Sequence, residues 1–411
     1  MKFKMTTEEK NWVLYDVGNS AFVLLVSTIV PIYFNYLAEK ADLSSVDYLA
    51  FWGYTASLVT IIVAFLGPVL GTLADTKDYK KPLFTMMLLI GCIGCFLLGF
   101  INYWFVFLIV FLIAKIGFSG SLIFYDSMLS DVTTPERVDH VSSQGYAWGY
   151  IGSCVPFVVC LLLVLNAGKI GLSMEMSMMI SFAIIAFWWF GLTLPLLKTY
   201  QQKYYVERKP HAMQNSFKRL FETIKNVRKE KKIFLFLLAF FFYIDGVYTI
   251  IDMATAYGTA LGFESTGLLL ALLLTQVVAF PFAILFGRLS SKYEAAKLIR
   301  VCILAYLGIS IFAIFLTKQW QFWLLAVLVG MFQGGIQSLS RSYFTKIIPL
   351  EKSGEYFGLM DVCGKGASFL GTTVVGVLSQ ATGQINLSLG ALSVFFMLGI
   401  VFFRMSEKRE G

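Results

Sequence analysis

Residues 71–81 read Gly-Thr-Leu-Ala-Asp-Thr-Lys-Asp-Tyr-Lys-Lys, a short basic turn wedged between two long apolar runs, 50–74 behind it and 83–101 ahead. A helix needs roughly 20 apolar residues, at 1.5 Å of rise each, to cross the hydrocarbon core of a bilayer. Both runs are long enough. The turn therefore reads as the place where the chain leaves a membrane and re-enters it. Lys77, Lys80 and Lys81 mark the side on which it does so, because loops on the inner side of a membrane are the ones rich in Lys and Arg.

The pattern repeats along all 411 residues. Twelve candidate spans follow one another: Trp12–Ala38, Ala50–Ala74, Leu83–Ile101, Tyr103–Leu129, Val141–Leu165, Leu172–Leu197, Ile233–Leu261, Thr266–Leu289, Leu298–Thr317, Trp320–Ile348, Tyr356–Ala381 and Leu387–Phe403. Only Asn102 and its neighbours separate the third from the fourth. Apolar residues make up 58% of the chain and charged ones 14%, with mean hydropathy +0.74. A water-soluble protein runs nearer half apolar and a quarter charged. The net charge of +8 and pI near 9.0 point to basic inner loops rather than nucleic acid. An even span count puts both termini on one side. On that side lie nearly all Lys and Arg outside the spans; the other side holds Lys40, Lys169 and Lys318. The reading is a multi-pass protein of a bacterial cytoplasmic membrane, with both termini and the long 198–232 stretch cytoplasmic. The first apolar run is too long for a signal-peptide core and is expected to stay as a span. The six cysteines sit in apolar runs, Cys92 and Cys95 included, and read as buried packing residues.

The organisation expected is a six-helix bundle over 1–197, a basic amphipathic linker over 198–232 and a second six-helix bundle over 233–411. In the linker Phe217, Leu220, Phe221, Ile224 and Val227 recur at helical spacing against Lys218, Arg219, Lys225 and Arg228, as in a helix lying on an inner membrane surface. The halves echo one another: Gly71-Thr72-Leu73 before a basic turn is matched by Gly287-Arg288-Leu289, and Tyr15-Asp16-Val17-Gly18 by Tyr243-Ile244-Asp245-Gly246. Internal symmetry of this kind marks transporters built from repeats.

Gly71, Leu73, Asp75, Lys80 and Lys81 resemble the loop signature of the major facilitator superfamily. Thr76 stands where that signature has an Arg, and Asp78 and Tyr79 replace a Gly and an Arg. A narrower resemblance, to the Atg22-like branch, is carried by 12–22 (WVLYDVGNSAF), 124–127 (FYDS), 145–152 (GYAWGYIG) and 334–342 (GGIQSLSRS). These segments come from both halves. The resemblance implies an all-α membrane protein, twelve transmembrane helices in two pseudo-symmetric six-helix bundles, working as a secondary transporter. It also implies efflux of a small solute such as an amino acid, since a eukaryotic member is associated with amino-acid efflux from the vacuole.

A charge inside a bilayer costs about 2.5–3.5 kcal/mol on insertion scales and is kept only where it meets a partner or a cavity. Asp16, Lys115, Asp126, Asp245, Arg341, Asp361 and Lys365 lie well inside spans one, four, seven, ten and eleven. Spans three, six, nine and twelve carry none away from their ends. In the facilitator fold those four are the outer supports. By helical rise Lys115 and Asp245 lie about 18 Å deep, near mid-membrane. Lys115 or Lys365 is expected to hold a solute carboxylate and Asp245 an ammonium. Tyr15, Tyr125, Tyr146, Trp148 and Tyr243 are expected to line the cavity beside them. Asp245, then Asp16, are the expected proton carriers. Asp75, Lys80, Asp126, Arg341 and Asp361 are expected to form gate contacts or salt bridges, Asp75 by accepting from a neighbouring helix N-terminus. Gly145, Gly149 and Gly152, with Gly364, Gly366 and Gly371 in the other half, are expected to let helices approach and slide.

No phosphate-cradling loop, zinc motif or catalytic triad occurs in the sequence, and His140 and His211 are the only histidines. The reading is a non-enzyme without cofactor or metal, a monomer whose partners are a small solute and membrane lipids, and no nucleic acid. Two alternatives stay open: a carrier of lipid-like or amphipathic drug molecules, and a non-transporting membrane receptor or scaffold acting through the basic linker.

Overall fold

A computed structural model describes residues 4–207, 222–223, 225, 227–383 and 385–408. Twelve long apolar helices dominate it. They are α1 (Thr7–Lys40), α2 (Ser45–Ala74), α3 (Lys80–Leu98), α4 (Trp104–Ser127), α5 (Val138–Leu165) and α6 (Met174–Thr199). The second set is α7 (Lys231–Ala260), α8 (Ser265–Leu289), α9 (Ala295–Ile314), α10 (Gln319–Ile347), α11 (Ser353–Thr382) and α12 (Leu392–Glu407). The narrow third connection is real: α3 ends at Leu98 and α4 starts at Trp104, and the Tyr33 hydroxyl donates to Ile101 O and Asn102 Oδ1 inside it. Helix α1 starts earlier than apolar counting suggests. Thr6 and Glu9 cap it reciprocally, and the Glu9 carboxylate also holds Arg137 at 2.6 Å and Thr133 at 2.8 Å. Of the expected amphipathic linker helix, Phe217, Leu220, Phe221 and Ile224 lie outside the described residues; Val227 is buried in the second core.

Two hydrophobic cores form, one from residues before 201 and one from residues after 226. Their layouts correspond. In the first, the Tyr15 hydroxyl of α1 meets Ser121 of α4 at 2.6 Å; in the second, Tyr243 of α7 meets Ser340 of α10 at 2.6 Å. Gly18 packs against the Trp189 backbone of α6, and Gly246 against the Phe396 ring of α12. Gly149 of α5 lies over Asp16 and Ser20 of α1. Gly371 of α11 lies over Asp245 and Thr249 of α7. A Cβ on Gly149, Gly246 or Gly371 would collide and one on Gly18 would be tight, so their smallness serves fixed packing within each bundle. Large apolar side chains such as Phe65, Phe187, Phe315 and Trp320 stand exposed on the perimeter, where lipid is their solvent.

The bundles meet through α2 with α11, α5 with α8 and α10, and α4 with α11. On one crossing Gly67 and Gly71 of α2 face Gly354 and Gly358 of α11, backbone against backbone. Among the described residues, the polar contacts between bundles run from the face carrying both termini, the terminal face, to about mid-membrane.

Candidate functional site

At the terminal face the 75–80 turn ties one bundle to the other. Asp75 is fully buried, and its two carboxylate oxygens accept from the Gly354 N–H at 2.7 Å and the Glu355 N–H at 2.9 Å. They lie in the first turn of α11, where unpaired N–H groups and the helix dipole favour a negative charge. Burial pushes Asp75 up to about 7, against the pull of the Lys80 ammonium and the two N–H donors. Lys80, also fully buried, reaches Asp131 at 3.1 Å and Ser353 Oγ of the other bundle at 3.1 Å. Asp131 further accepts from the Tyr200 hydroxyl and from the Lys203 and Tyr204 N–H groups. The segment after α6 is thereby strapped to the turn, with Val206 N–H donating to Asp75 O and Lys77 N–H to Val206 O. Asp78 takes φ +65°, the left-handed conformation that Asp and Asn tolerate among non-glycine residues. This explains how it can replace the glycine of the loop signature.

Deeper in, Arg341 of α10 is seated inside the first bundle. Its Nη1 bonds Asp126 at 3.0 Å, Nη2 bonds Asp16 at 3.3 Å and Ser142 O at 3.0 Å, and Nε bonds Ser142 Oγ at 3.0 Å. The guanidinium lies over the Trp12, Tyr125 and Tyr146 rings at 4.6, 5.5 and 4.3 Å. Arg suits such a place: its planar fork satisfies several acceptors at once and stacks on aromatic faces. Around it Lys346 pairs with Asp139 at 2.5 Å, Ser142 Oγ donates to Ser338 O, and the Tyr150 hydroxyl donates to Gln337 at 2.8 Å. Each contact joins one bundle to the other.

Beyond the clamp, charges of both signs gather between α4, α7 and α11. Lys365 pairs with Asp361 one turn away at 2.6 Å. Lys115, on the same face of α4 as Asp126, rests 5.2 Å from the Phe118 ring centre and within electrostatic reach of Asp252 and Lys365. Tyr248 lies within reach of Asp126, Asp252 and Asp361. The side chains of Asp126, Asp361 and Lys365 are 29%, 18% and 23% exposed; Arg341 and Asp16 are 4% and 9%. Exposure therefore rises from the sealed clamp to the charged groups gathered between α4, α7 and α11.

Several residues expected at the cavity lie elsewhere. Tyr15 and Tyr243 are fully buried in their own bundles on their serine partners. Tyr125 is packed between Trp12, on which it stacks, and Tyr15, and it meets the clamp at Arg341 and Asp16 from within the first bundle. Trp148 occupies the face of α5 opposite Tyr146. It is 43% exposed beside Val155, Val159 and Leu162, and packs on Phe280. The reason is rotational: a neighbour one residue along a helix points about 100° away, and one two residues along about 200° away. Asp245 makes no ion pair among the described residues. It is fully buried under α11, Oδ1 accepting from the Gly371 N–H at 2.9 Å and Thr249 at 3.2 Å, while Oδ2 has no hydrogen-bond partner. The ammonium-binding position expected of it is thus covered by a helix. Asp361 and Lys365, expected in separate roles, hold each other. Asp252, Asp131, Tyr248, the Asp139–Lys346 pair and the facing Gly67/Gly71 and Gly354/Gly358 pairs were not anticipated. The two Gly-x3-Gly spacings, and Asp252 two turns beyond Asp245 on one face, were the available signals.

Comparison with known proteins agrees with this architecture. The family model described as vacuole effluxer Atg22 like matches residues 5–411. The uncharacterized MFS-type transporter YxiO of Bacillus subtilis is 41% identical over 406 residues, 98% of this chain and 95% of that one. Autophagy-related protein 22-1 of Aspergillus fumigatus is 26% identical over 304 residues, 66% of this chain; the aligned part spans about half of that relative, 48%. Among solved structures, the proton:xylose symporter XylE superposes with TM-score 0.74 at 12% identity, covering 97% of this chain and 95% of that one. The transporter FucP in its outward conformation gives 0.72 at 16% identity, covering 97% of each. A twelve-helix protein whose two bundles are clamped by ionic contacts at one face, matched along its length by that family, belongs to the Atg22-like family of MFS-type transporters.

Proposed function

We propose that the chain exports a small zwitterionic solute, an amino acid being the simplest, by alternating access of its two bundles around a chamber lined by the charged groups between α4, α7 and α11. It does so as a monomer in a bacterial cytoplasmic membrane, with the terminal face toward the cytoplasm. The observation that carries this reading is Arg341. A guanidinium of one bundle sits among carboxylates of the other and closes one face, while the chamber beyond it holds ammonium and carboxylate groups. A buried ion pair that joins two bodies at one face only is a bistable contact. Lys115 takes the solute carboxylate. The acidic groups of the chamber, rather than Asp245, take the ammonium. Asp75 and Lys80 hold the cytoplasmic gate together with Arg341. The basic loops of the terminal face support the orientation, and the family's description as an effluxer supports the direction.

The transport is coupled to protons, with Asp245 as carrier. A carboxylate this deep without a counter-charge is costly, and taking up a proton removes that cost. Asp16, held by Arg341, belongs to the gate instead. The test is flux of labelled amino acids in proteoliposomes with an imposed pH gradient. Wild type should move solute with the gradient and Asp245→Asn only down the solute's own gradient. Unchanged pH-driven flux in Asp245→Asn removes it as carrier. Absence of flux for every amino acid removes the zwitterion reading.

A further inference from the structure

The clamp has an exposed end and a sealed end. Asp16 and Arg341 are all but closed off, whereas Asp126 is 29% exposed and lies on the chamber-facing side of α4, in line with Lys115. Its carboxylate is thus shared: one oxygen binds Arg341, and the group as a whole faces the chamber beside Asp361. The charges nearest it are unbalanced. Three carboxylates, Asp16, Asp126 and Asp361, face two cations, Arg341 and Lys365. Tyr146 of α5 and Tyr248 of α7 complete the surroundings.

We propose that Asp126 couples occupancy of the chamber to the clamp: a primary ammonium on the solute competes with Arg341 for the Asp126 carboxylate, and winning it frees the terminal face to open. This rests on the alternating-access reading above and names the contact through which solute and gate communicate. Coupling requires that the ligand bind one state better than the other. Asp126 supplies that difference, because in the closed state its acceptor oxygen is used by Arg341 and in the open state it is free. The same exchange run backwards suits export: when Arg341 returns to Asp126 it displaces the ammonium into the chamber and the solute leaves by the far side. Asp16 cannot play this part. It meets Arg341 from the sealed side, covered by Gly145 and Trp12.

The experiment measures the distance between spin labels at Lys81→Cys and Lys292→Cys, exposed on the terminal face of the two bundles. The protein is the full chain in nanodiscs, with the six native cysteines replaced. Ethylammonium is the probe and propionate its control. Ethylammonium should raise the open-to-closed ratio of wild type, and propionate should not. Asp126→Asn should raise the ratio by about tenfold or more without ligand, as expected for loss of one charge-assisted bond, and should no longer respond to ethylammonium. Asp126→Glu, which keeps the charge, should still respond, and carries the test if the Asn variant does not fold. Ethylammonium acting equally on wild type and Asp126→Asn, or on neither, overturns the proposal. So does opening of wild type by acidification with no effect of ethylammonium, which would make the competing charge a proton. Arg341→Gln separates the two levels. If it stays closed under every condition, the alternating-access reading itself fails; if it opens while ethylammonium is inert on wild type, only the role of Asp126 fails.

Discussion

The crossing of α2 and α11 offers the sharpest test of how the terminal face is held. Gly71 lies directly on Gly354. A methyl group at Gly71 would meet the Gly354 carbonyl oxygen well inside contact distance, with Gly354 C at 2.7 Å and Glu355 N at 3.3 Å. Backbone cannot rotate away as a side chain can, so Gly71→Ala must push the helices apart by about 1 Å to regain ordinary contact. The Asp75 bonds to Gly354 and Glu355, at 2.7 and 2.9 Å, would then stretch beyond hydrogen-bond range. Above pH 7, where Asp75 is ionised, loss of even one of these two charge-assisted bonds costs about 1.5–3 kcal/mol, which corresponds to about a 10- to 150-fold rise in the open-to-closed ratio. Spin labels across the terminal face read that ratio. Gly168→Ala is the control, since nothing lies within 4 Å of a Cβ there. If Gly71→Ala stays as closed as wild type and the control, close approach of α2 and α11 is not what seals this face.

Other perturbations follow from the same geometry. Asp75 sits near 7 in the closed face and should return toward its ordinary 3.8 when α11 withdraws. The closed form therefore binds the extra proton, its advantage is fully present below about 3.8, and it is lost as pH rises through about 7; label distances from pH 5 to 9 should show progressive opening, reduced in Asp75→Asn. Tyr15→Phe and Tyr243→Phe each remove one buried hydroxyl contact and should each cost about 1 kcal/mol in thermal unfolding. Because the two sites lie in separate cores, the double variant should be additive, and a clear coupling energy would contradict the independence of the cores. Trp148→Ala should leave pH-driven flux as in wild type while lowering stability by about 1 kcal/mol through the lost Phe280 contact; a collapse of flux in a folded protein would return Trp148 to the solute path.

What was legible in the sequence was whatever depends on length and on charge in hydrocarbon. Twelve apolar runs give twelve helices, and the symmetric pairs Tyr15/Tyr243 and Gly18/Gly246 fall at matching places in the two cores. Arg341, Asp126 and Asp16 could be singled out because an ion inside a span demands a partner. Which partner each takes was not legible. Lys365 pairs with Asp361 on its own helix, and Asp245 is covered by Gly371, because partner choice depends on helix rotation and crossing. Adjacency in sequence misled for Tyr15 and Trp148 for the same reason. The strap from Tyr200 to Val206 was hidden because, apart from the Tyr200 hydroxyl, its bonds to Asp131 and Asp75 are made by backbone groups, which any sequence carries.

The central claim is that Lys115, Asp126, Asp361 and Lys365 face one water-filled chamber closed at the terminal face. Labelling of Lys115→Cys and Lys365→Cys by a membrane-impermeant maleimide, added to one face at a time, tests it most directly. Both cysteines should react from the face opposite the termini, and from the terminal face only after Arg341→Gln releases the clamp. Protection from both faces in every background, with reaction only toward a lipid-soluble maleimide, would place these side chains in lipid and contradict the account.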